Sequence, residues 1–418
     1  MKLRNSIFLV MLISLLLLPT MASPSVVEAV VTNASTISNF RTTNDNQTLV
    51  IYTYESLLQW GDNPDQVYNA VFTEFENRYG INISVVRFKD AHTMLQRLIE
   101  ERLNPQADIV IGLDDILATK AKESGILEPY TPTNLSLVRS DLVDVLDPEH
   151  YLVPYDYGLI ALVYDTNYVN ETTYPQISHL AFEDFLNESL ASQLIVEDPT
   201  QSSTGLSFLL WEIAIYEKIL NKPWTEWWNA TYDKISVKGG WGDAYDEFLS
   251  EHSTRHIVVS YGTDGAYSYH FYNDTRYSAT LVYANNSYYG WLQVEGIGII
   301  NGTDNLNESK AFIEWFLSDE VQQYIPLNNW MYPANTHVQL PEDYKYAIDP
   351  SKVKVANTLL SKDEIKQNLD SWLISWLEIV SQPPETQENL DIYYIAAGII
   401  AIAVVGLFVI MLRKKRII

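Results

Sequence analysis

YLVPYDYGLIALVYDTN, residues 151–167, reads as one extended run with Pro154 and Gly158 inside it. Its aromatic and β-branched residues favour a strand. It is nevertheless far longer than the ~5–6 residues of an ordinary strand. A segment of this kind suits a crossing from one lobe of a molecule to another, and the sequence on either side fits that reading.

Upstream, apolar alternation predicts a strand over 49–54, a helix near 64–79 and a strand over 81–88. A helix near 91–103, a short strand over 107–112 and a helix around 117–124 follow. This β-α-β-α-β-α order with short connections implies a mostly parallel sheet covered on both faces. Downstream, a second α/β set begins with a strand at 194–197 and a helix over 204–218. It continues with a helix around 244–250, a strand at 256–261 and a strand pair within 280–300. The last third is helical at 310–318, 319–324 and 362–381. The expectation is an α/β protein of two hinge-linked lobes with a cleft between them. Residues 49–155 and about 262–300 are assigned to the first lobe, and 156–261 and about 301–382 to the second.

Residues 1–22, MKLRNSIFLVMLISLLLLPTMA, have the layout of a secretory signal with cleavage near Ala22. Residues 23–48 are a polar leader, and 383–391 (PPETQENLD) a short stalk. Residues 392–412 carry no charge and as a helix span a hydrocarbon core of about 30 Å. The basic tail 413–418, with Arg413-Lys414-Lys415-Arg416, should stay cytoplasmic. The expected location is the cell membrane, single-pass, with the long middle outside. Eleven N-x-S/T sequons spread along the chain agree with exterior exposure and glycosylation. There is no cysteine, which excludes disulfides, an N-terminal lipid anchor and a thiol nucleophile. A net charge of −26 argues against nucleic acid as a partner and is compatible with a cationic ligand.

No HExxH, GxSxG or phosphate-binding GxxxxGK[ST] occurs. His252 and His256 stand at i, i+4 but flank a turn. The catalytic inventory is thin, so an enzyme is not expected. The aromatic inventory is rich, with 28 tyrosines and 11 tryptophans. Several stand at element ends: Trp60 in QWGDNP, Trp241 in GGWGDAY, Tyr261 and Tyr267 in SYGTDGAYSYH, Trp330 and Tyr332 in NNWMYP. Open α/β sheets bind ligands at strand C-termini. Rings gathered there favour a flat or cationic guest, at about 0.5–2 kcal/mol per contact. In IYTYESLLQW (51–60), Tyr52 and Tyr54 share one strand face. Tyr54, nearer the strand end, is the expected cleft wall, and Tyr52 the packing residue. In IVEDPTQSSTGLSFLLWEI (195–213), the hydroxyls of Ser202, Ser203 and Thr204 open a helix. They make either an anion pocket or a plain N-cap.

Seven blocks in order resemble the thiamine-binding substrate receptors of ABC importers. They are YTYES, ADIVIGLDD, VPYDYGLIALVYD, EDPTQSSTGLSFLLW, GGWGDAY, SYGTDGAY and NNWMYP, and the match covers about residues 48–382. The resemblance implies a two-lobe, type II periplasmic-binding-protein-like fold and no cofactor. It implies ring contacts to thiamine by Tyr54, Trp60, Trp241, Tyr261, Tyr267 and Trp330, and an acidic partner at Asp90. It implies a phosphate-contacting element at Ser202 and Ser203, and delivery to an ABC permease driven by a cytoplasmic ATPase. Two departures stand out. The run Thr200–Gly205 lacks the arginine usual in the family, which favours free thiamine over its phosphate esters. Gly265 replaces a Pro-bearing turn, and Asp264 adds a carboxylate beside Tyr267. The sequons and C-terminal tether look like an archaeal cell-surface version. Thiaminase I is similar in fold but needs a cysteine. A polyamine or ferric iron is the alternative cargo.

Overall fold

The computed structural model describes residues 48–382. The expected signal, stalk, membrane helix and basic tail lie outside the described residues, as does the leader except Thr48, which already begins the first strand. Among the described residues no helix is long and apolar enough to cross a membrane.

The strands in chain order are β1 (Thr48–Tyr54), β2 (Asn82–Phe88), β3 (Ile109–Asp114), β4 (Leu127–Glu128), β5 (Val153–Asp165) and β6 (Leu194–Glu197). They continue with β7 (Ser236–Lys238), β8 (Ile257–Tyr261), β9 (Tyr277–Thr280), β10 (Val282–Ala284) and β11 (Ser287–Ile300). Their main lateral order is β2-β1-β3-β11-β5-β8-β6-β7. β1 runs parallel to β2 and β3, and β6 parallel to β7 and β8. Two parallel sets are therefore joined through an antiparallel pair, β5 and β11. β11 is bonded to β3 near its end, and β5 to β8 along its second half. The long run that opened the sequence reading is one of these crossings, at 13 residues. A third crossing, Tyr332–Pro333, pairs with Tyr157 and Asp156.

The pairing of β5 with β11 slips register between Glu295 and Gly296. A bulge of this kind bends the strand and re-aims side chains. It lies where the strands pass between the lobes, and it turns Glu295 toward the cleft.

The late segments divide differently from the expected allocation. β9 pairs with the far half of β5, and β10 with the first residues of β11, so 277–294 belong with the second set. Phe312 of helix Leu306–Phe316 packs on Phe75 at 5.0 Å, beside the first set. Trp376 of helix Lys362–Val380 meets Trp228 at 5.6 Å, beside the second. The reason is that β11 crosses between lobes within its own length, whereas the sequence reading kept 262–300 in one lobe.

Helix Ser203–Ile213 is buried at every position, because its SFLLW core offers no polar face. It lies near an edge-to-face aromatic cluster that includes Trp227, Trp228 and Phe208. Glu212 is sealed in this region with no exposed surface. Burial, with repulsion from Glu217, pushes its carboxyl well above the usual range, and the Trp228 indole offsets this only in part. A raised folded pKa contributes stability that is complete below the unfolded value and is lost as pH rises. Glu212→Gln is therefore expected to raise the melting temperature at neutral pH by about 2 °C or more. The gain should vanish below about pH 4, where the unfolded-state carboxyl is also protonated. Melts of both proteins at the two pH values check this.

Candidate functional site

The cleft between the lobes encloses about 540 Å³. β1 delivers its first wall. Tyr54 ends the strand and lines the cleft, while Tyr52 is 2 % exposed and packs on Phe88. The following turn carries Leu58 in the left-handed region, with φ 56°. The Leu58 N–H donates to Asn329 Oδ1 at 3.0 Å, and the Trp60 N–H to the Asn328 carbonyl at 3.1 Å. Trp330 is also left-handed, with φ 53°, and its indole N–H donates to the Trp60 carbonyl at 2.8 Å. Such backbone strain in bulky residues is held in place by its surroundings and is concentrated at functional sites. Here it locks the two tryptophan loops together.

Trp60 reaches from the first lobe into rings carried by the second. Its centroid lies 5.1 Å from Trp241, 5.6 Å from Tyr245 and 6.1 Å from Tyr267, all edge-on. Trp241 and Tyr245, i and i+4 on helix Trp241–Leu249, stack at 4.9 Å. Trp241 is fixed by its indole N–H donating to Ser260 Oγ at 3.0 Å. Tyr267 meets Trp330 edge-on at 5.4 Å.

The floor is acidic. Tyr54 and Tyr155 donate their hydroxyls to Glu295 Oε2 at 2.8 and 2.5 Å, and Gln293 donates to Oε1 at 3.0 Å. Gln293 also donates to the Tyr261 hydroxyl at 3.1 Å. Beside it, Asp156 accepts from Asn329 Nδ2 at 2.6 Å. Burial first, then the neighbouring Glu295, pushes Asp156 well above the usual carboxylate range. Burial also raises Glu295, to about 7, against the pull of its tyrosine donors. Three donors converge on Glu295 and one on Asp156, so the two carboxyls titrate as a pair, and the charge it carries when ionised settles on Glu295. Among the described residues Lys89 is the one cation lining the cleft, and its ammonium sits 2.6 Å from Asp243.

The start of helix Ser203–Ile213 resolves the choice left open by the sequence. Ser202 is fully buried, bonds Thr204 Oγ1 at 2.8 Å and caps the helix by accepting from the Gly205 N–H. It does not line the cleft, so its expected phosphate contact is corrected to plain N-capping. Ser203 does line it, but its N–H already donates to Asp90 Oδ1 at 3.3 Å. Asp90 also caps its own helix Ala91–Glu100 through the His92 N–H. A carboxylate of the first lobe thus stands where an anion would meet the second lobe's helix.

The structure brings Tyr54, Trp60, Asp90, Ser203, Trp241, Tyr261, Tyr267 and Trp330 around one cavity and leaves out Ser202. Tyr332 packs instead on Tyr157 and Tyr344. His256 stacks on Tyr168, and no group of metal-ligating side chains occurs among the described residues. Sequence reasoning missed Tyr245, Asn329 and Glu295. Tyr245 was detectable at four residues from Trp241 on one helix face. Glu295 gave no such signal, being one of 53 acidic residues in the chain.

Residues 104–264 match the family described as "Bacterial extracellular solute-binding protein". The chain is 30% identical over 338 residues to the thiamine-binding periplasmic protein of Escherichia coli K12, covering 80% of this chain and 94% of that protein. A solved "Periplasmic thiamin binding protein" superposes with TM-score 0.68 at 26% identity, covering 82% of this chain and 99% of that one. The ferric binding protein from Campylobacter jejuni shares the fold, with TM-score 0.62 at 19% identity over 79% and 99% of the two chains. With this cleft set between two lobes, and agreement along nearly the whole of a relative's length, the chain belongs to the family of the thiamine-binding periplasmic proteins.

Proposed function

We propose that the protein is a non-enzymatic solute receptor that captures thiamine between its lobes and delivers it to an ABC import permease with a cytoplasmic ATPase. The observation that carries this reading is the cage of Trp60, Trp241, Tyr245, Tyr267 and Trp330 above the Glu295 floor. Thiazolium is a fixed aromatic cation. It gains from ring faces and from negative charge beneath them, and both strengthen in a dry cleft. Tyr54, Tyr261 and Asp90 complete the wall around it, with Asp90 facing polar groups of the ligand.

Free thiamine is the preferred form. Ser203 supplies a hydroxyl, but Asp90 holds the helix N-terminus and Lys89 is engaged by Asp243. A phosphate ester would have to displace one carboxylate or recruit Lys89 from the other. Ferric iron is disfavoured because three tryptophans, which offer no ligating oxygen, share the wall with the tyrosines, and a polyamine lacks a flat ring for it to clasp. The signal-like 1–22 and the apolar 392–412 with its basic tail support export and a C-terminal membrane tether, with glycans on the exterior sequons.

At a fixed concentration, a ligand that binds only the folded state raises the melting temperature further the tighter it binds, with the logarithm of its affinity. Melts with thiamine, its mono- and diphosphate, spermidine and Fe(III) are expected to show the largest rise with thiamine. A larger rise with spermidine or Fe(III) contradicts the reading.

A further inference from the structure

Asp264 opens helix Asp264–Tyr272 and lines the cleft at 5 % exposure. Ser260 and Tyr245 face its carboxyl, and its Oδ2 has no hydrogen-bond partner. Its setting is apolar and crowded. Tyr245 and Tyr267 stand 6.3 Å apart beside it, and Trp60 closes edge-on over both. The helix start cannot retreat, because a methyl group on Gly265 would already lie 2.4 Å from the Tyr346 carbonyl. Ser260 on β8, Tyr245 on the facing helix and Tyr267 on its own helix are the polar and titratable groups that bear on it, and none is a cation. Lys89, the lone cation of the cleft, is committed to Asp243.

We infer that Asp264 is a specificity-determining residue for fixed positive charge, protonated in the empty cleft and ionised when a cationic aromatic ring seats beside it. The inference rests on the thiamine reading of the same cleft. Charge balances in the step: the neutral carboxyl loses its O–H proton to solvent, and the carboxylate formed pairs with the incoming cation. Burial pushes Asp264 up to about 7, so it is protonated in mildly acidic solution before the ligand arrives. A neutral analogue provides nothing to drive the ionisation and leaves the proton in place. The Asp156–Glu295 pair does not serve this role. Both Glu295 oxygens already accept from Tyr54, Tyr155 and Gln293, and Asp156 does not line the cleft, whereas Asp264 lines it with an unpartnered Oδ2.

The test is calorimetric titration of the purified protein with thiamine at about pH 6, in two buffers of different ionisation enthalpy. The wild type is expected to release on the order of one proton per thiamine, with affinity rising toward pH 7 and then levelling. Asp264→Asn is expected to abolish the buffer dependence, flatten the pH profile and weaken binding about tenfold or more. Thiamine binding without buffer dependence in the wild type overturns the inference alone, and that measurement stands even if the variant fails to fold. Buffer dependence kept in Asp264→Asn overturns it too, moving the proton to the Asp156–Glu295 pair. Absence of any thiamine binding overturns the thiamine reading, and this inference with it.

Discussion

Trp60→Ala is expected to weaken thiamine binding by about 2–3 kcal/mol, roughly 30–150-fold. Trp60 is the first-lobe ring that meets three rings of the second, and its carbonyl receives the Trp330 indole N–H. Truncation removes the ligand's ring contact and lets water into a site where dryness strengthens every charge interaction. Trp330→Ala and Tyr267→Ala, which each remove one ring, are expected to cost about 1–3 kcal/mol. Titration calorimetry on folded variants reads all three. Wild-type affinity in Trp60→Ala would mean that the aromatic contacts seen across the cleft are only packing.

Gly112→Ala is expected to damage stability and binding together. Gly112 stands within β3 at φ +100°, a conformation that side chains resist. An added Cβ would lie 2.3 Å from two ring carbons of Tyr54. The ring must leave, and its hydroxyl then loses Glu295 and Asn329. Backbone strain costs about 1–3 kcal/mol. The affinity loss should equal or exceed that of Tyr54→Ala, since the floor is displaced rather than trimmed. Urea unfolding and thiamine titration measure the two effects. A double-mutant cycle with Tyr54→Ala should show strong coupling, because the clash disappears with the ring. Additive effects would place the cost of the alanine elsewhere.

Both predictions show which features were legible in the sequence. Alternation put Tyr52 and Tyr54 on one face, and only nearness to the strand end set them apart: Tyr54 lines the cavity and Tyr52 is buried behind it. The aromatics at element ends converged because strand C-termini of both lobes face one cleft. The clash at Gly112 was not legible, since strand pairing across 58 positions sets it, not any local pattern. Nor was the choice at Ser202. An N-cap and an anion site share one composition, and only Asp90 arriving from the other lobe decides between them. β11 hid its crossing role because its interior reads as an ordinary apolar strand, while β5 announced itself by length, Pro154 and Gly158. Glu295 was passed over in a chain with 53 acidic residues, where one more carboxylate carries no signal until its burial is seen.

The most direct measurement is a calorimetric titration of thiamine into the wild-type protein. The two-lobe aromatic cleft predicts saturable one-to-one binding with a Kd at or below the order of 1 μM. No heat at thiamine concentrations up to about 1 mM, from a protein shown to be folded, would contradict it.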